Sequence, residues 1–169
     1  MTAIWTLPRT WATGEIVTAA QLNTHLRDNL EYLKQRDETP HNHFTCSSST
    51  PYTTTSTAFA DVDAAGLSGT LITTGGPLLI GIAGSWKSSG TGIDVCLDVS
   101  INGARIGHAT YGVTFMQSIA ANTYLPVAWS QVRALAAGTY ALKLQWRTSS
   151  GTLSLGPYSA AQFYAVELV

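Results

Sequence analysis

The spacing of apolar positions changes once along this chain, and that change divides it. Between Ala19 and Arg36, Leu22, Leu26, Leu30 and Leu33 recur four, four and three residues apart, a single stripe on an α-helix. From about Thr54 the period becomes two. Val95, Leu97, Val99 and Ile101 alternate with Asp94, Cys96, Asp98 and Ser100. Tyr140, Leu142, Leu144 and Trp146 likewise alternate with Ala141, Lys143, Gln145 and Arg147. Strands are expected over residues 55–63, 67–74, 78–87, 94–101, 104–111, 125–135, 140–147 and 162–169. Asn102-Gly103, between two of them, is the strongest short hairpin signal. The pattern predicts a mainly β fold: an antiparallel eight-stranded jelly-roll sandwich, preceded by an extended arm and one N-terminal α-helix.

The helix has clear start signals. Thr18 is a good N-cap, and Gln21 three residues on completes a capping box. Val17 and Leu22 are placed to form the hydrophobic staple across it. Arg27–Glu31 and Glu31–Lys34 are surface pairs at helical spacing. A helix of roughly 17 residues, about 26 Å long, is marginal alone in water, so the stripe needs a partner. Two partners fit: the chain's own β domain, or other copies gathered into a short helical bundle. In the second case Leu22, Leu26, Leu30 and Leu33 form the seam, and Asn29 beside them is a candidate register-setting polar residue.

Before the helix, Trp5-Thr6-Leu7-Pro8-Arg9-Thr10-Trp11 reads as an arm, with a turn at Thr13-Gly14. Two tryptophans on a short arm are costly in water, so the arm reads as an attachment segment, with Trp5, Pro8, Arg9 and Trp11 as its contact residues. After the helix, ten of the thirteen residues from Thr45 to Thr57 are Ser or Thr. Three segments follow: an attachment arm and helix over 1–36, a Ser/Thr-rich linker over 37–53 and the β domain over 54–169.

Composition narrows the function classes. Net charge is −1, which gives no field to steer the chain to nucleic acid or an anionic membrane. Charged residues are 11% of the 169, and nine of the nineteen fall before residue 44. The β domain therefore has a weakly self-repelling surface, suited to an assembly. No signal peptide is expected at the N-terminus, and the longest apolar run, 77–84, is too short to span a bilayer. Cys46 and Cys96 make no disulfide framework, which fits synthesis in a reducing cytoplasm.

Candidate chemistry is sparse. His41 and His43 are weak metal candidates, reading first as a solvated linker, since no Cys or carboxylate at ligand spacing completes a site. Asp61 and Asp63 could offer oxygens to Ca²⁺ but read first as a turn. Asp94 and Asp98 lie on one strand face about 13 Å apart, too far for a carboxylate pair that acts together. There is no nucleophile elbow and no phosphate cradle. Trp86, Trp129 and Trp146 read as core or subunit interface before sugar platforms. The expectation is no enzyme, no cofactor and no metal.

The run Pro8-Arg9-Thr10-Trp11, continued by residues Gly14 to Leu30, resembles the N-terminal segment of small virion proteins of tailed bacteriophages and prophages. In that family the segment looks like an attachment module ahead of differing C-terminal domains. The β part, with Asp61-Val62, Gly66-Leu67-Ser68 and residues 142–147, looks like the trimeric jelly rolls of phage decoration proteins, fibres and receptor-binding tips. Those are similar in plan to the tumour-necrosis-factor and complement-C1q fold. The resemblance implies a homotrimeric virion protein, assembled in the host cytoplasm and contacting other virion proteins of capsid or tail. Capsid decoration or a head fibre is the first expectation. A tail fibre or receptor-binding protein, with a host-surface glycan or protein as its ligand, is the alternative, and a bacterial carbohydrate-binding or signalling jelly roll unrelated to virions is the third. Whether helix or β domain holds the trimer stays open.

Overall fold

Thr18 caps the helix as its sequence predicts. Its hydroxyl accepts from the Gln21 backbone N–H, and the Gln21 side chain accepts from the Thr18 N–H at 2.9 Å. In the computed structural model, which describes residues 5–38, 43–156 and 160–168, the helix runs as α1 (Ala19–Leu22), a π-helical turn (Asn23–Arg27) and α2 (Asp28–Glu38). The chain divides into two units, residues 1–40 with the last residue, and residues 41–168. The arm of the first unit is not a free extended segment: it turns at Thr13-Gly14 and returns along the helix.

The second unit is an antiparallel jelly-roll sandwich of two sheets. One sheet joins β1 (His43–Ser48), β12 (Ala161–Glu167), β5 (Pro77–Ser88), β11 (Leu153–Leu155) and β2 (Tyr52–Thr54), with β9 (Leu125–Ala134) along the other edge of β5. The second sheet centres on β10 (Gly138–Thr148) and β6 (Asp94–Ile101). β3 (Ala60–Asp61) and β4 (Ser68–Thr73) flank β10, while β7 (Ala104–Arg105) and β8 (Thr114–Gln117) flank β6. Inward residues of both sheets interdigitate: Leu78, Ile80, Ile82, Trp86 and Phe163 from one, Val95, Leu97, Val99, Leu142, Leu144 and Trp146 from the other. Trp86 and Trp146 are core, and Trp129 packs partly buried at its margin.

Several boundaries move from their expected places. The Ser/Thr-rich segment expected as a linker carries β1 and β2, paired to β12 and β11. Residues 55–63 contribute only the two residues of β3, and the strand expected over 104–111 stops after Arg105. Asn102 (φ 49°) and Gly103 (φ 83°) do form the predicted two-residue hairpin, with Ile101 opposite Ala104.

Candidate functional site

One buried side chain clamps the arm to the helix. Asn29, 5% exposed, accepts from the Thr6 N–H through Oδ1 at 2.9 Å and donates from Nδ2 to the Thr6 carbonyl at 2.8 Å. It thus mimics a peptide unit and adds the arm to the helix as one more backbone partner. Aromatic contacts flank it: Trp5 tilts onto Tyr32 at 5.8 Å, and Trp11 meets His25 edge-on at 6.2 Å. His25, Asn29 and Tyr32, spaced four and three apart, form a second stripe that receives the arm. At the turn, Gly14 takes φ +81°, and the Glu15 carboxylate ion-pairs with Arg9 and accepts from the Ala12 N–H at 3.2 Å. Arg9 also lies 4.9 Å over the Trp11 ring.

The predicted attachment residues therefore share one folded hairpin. Trp5 and Trp11 stay 41% and 39% exposed, with Pro8 exposed between them. The arm leaves the leucine stripe open within this unit: Leu22, Leu26, Leu30 and Leu33 are 46%, 57%, 59% and 49% exposed. Asn29 is engaged by the arm of its own chain. His41 lies outside the described residues, as does the side chain of His43. Among the described residues no group of three or more His, Cys, Asp or Glu could hold a metal ion.

Two surfaces of the β unit stand out. The outer face of the first sheet, built from Leu79, Gly81 and Ala83 of β5, Tyr164 and Val166 of β12 and Val132 of β9, carries no charge among the described residues except Lys87 at one end. Tyr164 lies flat over Gly81, where an added Cβ would stand 2.2 Å from the ring.

On the outer face of the second sheet, an open cleft of about 600 Å³ has Gln145 and Arg147 of β10 as its floor. Thr57, Ala58 and Phe59 form one wall, and Arg105, Ala109 and Thr110 form the other. Arg147 donates from Nε to the Thr110 carbonyl at 2.8 Å and from Nη1 to the Thr57 carbonyl at 3.3 Å, tying the walls together. Arg105 sits 4.0 Å and Arg147 5.7 Å from the Phe59 ring, measured from each Cζ.

Acidic groups around the cleft are already engaged. Asp61 accepts from Lys143 at 2.7 Å and from Gln145 at 2.8 Å; these bonds, Gln145 first, hold its pKa below the usual value. Asp63 is also lowered, chiefly by the backbone N–H groups of Gly66 and Ala65, and it closes a turn. Asp98 is fully buried beneath Arg105, and burial raises its pKa despite bonds from the Val99 and Gly107 N–H groups. Burial likewise pushes the Cys96 thiol up. Sequence reading missed this cleft, since its residues come from four separate segments.

No family model matches the chain, and no curated protein matches its sequence. Among solved structures, the chain is similar to that of infectious bursal disease virus, Gx strain, at 16% identity and a TM-score of 0.44. That match covers 75% of this chain but 36% of the viral one, so the chain spans well under half the length of that protein. It is similar to Eiger TNF from S. frugiperda at 16% identity and a TM-score of 0.42, over 76% of this chain and 91% of that one. A pentameric capsid protein isolated from metagenomic phage sequences is similar at 16% identity and a TM-score of 0.32, over 95% of this chain and 84% of that one.

Proposed function

We propose that this chain is a non-enzymatic structural protein of a bacteriophage virion, a homotrimer fixed to the particle by its N-terminal arm and helix. It serves there as a capsid decoration or head-fibre protein. The observation that carries the reading is the arm–helix hairpin. Asn29 preorganises it, yet four leucines along one face remain about half exposed. A marginal helix does not keep such a stripe in water without a partner, and identical helices around an axis supply one. The outer face of the first sheet, which among the described residues carries charge only at Lys87 at one end, supports self-association as well, because two copies can meet there without burying an unpaired charge. Resemblance of residues 8–30 to the attachment segment of phage virion proteins supports the particle as the place of assembly. Three arms per trimer then attach with high effective concentration, so weak individual contacts suffice.

Deletion of residues 1–17 tests the anchor. The β unit of the truncated chain is expected to fold, with an unchanged circular dichroism spectrum in the β region, while incorporation into particles is lost. Undiminished incorporation would overturn the anchor. Leu26→Asp with Leu30→Asp tests the stripe: light scattering is expected to show a lower mass, because charge enters an apolar contact. An intact trimer would move the oligomer contact to the β unit. A few copies per particle instead of hundreds would favour the fibre reading over decoration.

A further inference from the structure

Asp98 of β6 stands directly opposite Gln145 of β10, and the two side chains share the outer face of the second sheet, since their chain neighbours Leu97, Val99, Leu144 and Trp146 fill the core. The Asp98 carboxyl is bonded on one side only. Its Oδ1 accepts from the Val99 N–H at 2.8 Å and from the Gly107 N–H at 2.9 Å. Its Oδ2 is buried and makes no hydrogen bond among the described residues; Arg105 Nη1 stands 3.4 Å away and makes none either. Gln145 has the same imbalance. Ionised Asp61 can only accept, so the Gln145 amide nitrogen faces it at 2.8 Å and Oε1 turns away. That Oε1 is buried without a donor. Two acceptors, closed off from solvent and in register, are therefore each left without a proton donor.

A proton on Asp98 resolves the conflict. Oδ1 keeps both N–H donors as a carbonyl oxygen, and the Oδ2 hydroxyl donates to Gln145 Oε1. We infer that Asp98 and Gln145 form a proton-controlled latch: the protonated carboxyl grips Gln145 on one side and the Gly107 N–H on the other, and loss of the proton slackens the loop that starts at Gly107. Most other titratable groups on this face are engaged elsewhere. Lys143 of β10 is held by Asp61 of β3, and Arg147 of β10 by the Thr57 and Thr110 carbonyls and the Cys96 thiol of β6. Asp94, four residues back along β6, accepts from Gln117 of β8. His108 in the loop stacks on Tyr111, its Nδ1 taken by the Thr110 and Tyr111 N–H groups. Arg105 of β7 favours the ionised carboxyl, but burial outweighs it and raises the Asp98 pKa. The latch is thus closed at low pH and opens as pH rises through the raised value. Its loop carries His108 and Tyr111, which join Phe115 in an exposed aromatic stack, so the proton governs how firmly that surface is presented.

The carbon-13 resonance of the Asp98 carboxyl, followed across the acid and neutral range in the full chain, tests the latch. Asp98 is expected to titrate above the ordinary carboxylate value of 3.8, and the amide resonances of residues 107–112 to move with the same midpoint. Gln145→Met removes the acceptor while keeping the bulk, and the proton affinity of Asp98 is expected to fall about tenfold, the worth of one hydrogen bond. Should that variant fail to fold, Asp98→Asn carries the test. Its amide nitrogen donates to Gln145 Oε1 in place of the proton, so the amides of residues 107–112 are expected to keep their low-pH positions throughout. A carboxyl that stays ionised across the whole range would overturn the inference and leave a bridging water as the donor to both oxygens. An unchanged midpoint in Gln145→Met would remove Gln145 from the latch and so overturn it. Loop amides that still follow the same titration in Asp98→Asn would do so as well, because Asp98 would then not be the group they report.

Discussion

Asn29→Ala should loosen the arm on the helix without unfolding anything else, and the size of the effect follows from the geometry. The side chain makes two reciprocal bonds with the Thr6 backbone, at 2.9 and 2.8 Å. Each such bond contributes about 1 kcal/mol net, so the opening free energy of the arm should fall by about 2 kcal/mol. At 1.4 kcal/mol per factor of ten, exchange of the Thr6 amide hydrogen should speed up about 30-fold. Trp5 on Tyr32 and Trp11 on His25 remain, so the arm loosens and does not detach. Asn29→Asp makes the argument sharper. It keeps an oxygen for the Thr6 N–H but sets a second acceptor against the Thr6 carbonyl, so acceleration should equal or exceed that of the alanine. Amide exchange followed by NMR on the full chain measures both, with the Val99 and Leu144 amides of the β unit as internal standards. Thr6 exchange within twofold of the unmodified chain would refute the clamp.

Three further outcomes are expected in the β unit. Trp146→Ala, at a side chain 2% exposed in the centre of the sandwich, should cost about 3–5 kcal/mol in urea unfolding, and a loss below about 1.5 would show that the core tolerates the cavity. Gly81→Ala should destabilise by about 1–3 kcal/mol, because the new Cβ strikes the Tyr164 ring, and a second change, Tyr164→Ala, should recover much of that; additive losses would refute the contact. For Asp98 the raised pKa means that the folded chain holds this proton more tightly than the unfolded one. Its contribution is therefore complete below the unfolded carboxylate value, 3.8, and is lost as pH rises through the higher folded value. Asp98→Asn cannot ionise, so the stability of the natural chain relative to the variant should decline over that window, and a pH-independent difference would contradict the shift.

What could be read from the residues was whatever is local or strongly periodic. The Thr18–Gln21 capping box, the leucine stripe, the Asn102-Gly103 hairpin and the long alternating strands β5, β6, β9 and β10 each carry their signal within a dozen residues. β1 and β2 were illegible because Ser and Thr fill five of their nine positions, leaving little hydropathy contrast. Backbone pairing to β12 and β11 is what makes them strands. The folded-back arm was illegible for a different reason: its clamp joins residues 23 apart, and no local pattern announces that pairing. The one trace was the second stripe of His25, Asn29 and Tyr32, beside the more conspicuous leucines.

The strand expected over 104–111 gives way to a loop that forms one wall of the cleft. β7 begins to pair with β6, with Ser100 opposite Arg105 and Ile106 donating to the Val99 carbonyl at 3.0 Å. At Gly107 the chain leaves the sheet, and the buried Asp98 carboxylate takes the Gly107 N–H at 2.9 Å. The Leu97 carbonyl, which the ladder would next have offered to His108, accepts from Val113. The chain then loops through the His108–Gly112 bridge and returns with Val113 donating to Leu97 at 2.8 Å, after which β8 takes the place that β7 gave up. The loop after Ile106 stands off the sheet and, with Arg105 of β7, forms the wall that carries Ala109 and Thr110. The buried Asp98 carboxylate thus holds the first residue of the loop that forms this wall. If the amide oxygen of Asp98→Asn keeps the Gly107 bond, the amide resonances of residues 107–112 should stay in place, whereas Asp98→Ala should shift them; unshifted resonances in the alanine variant would refute this role of the carboxylate.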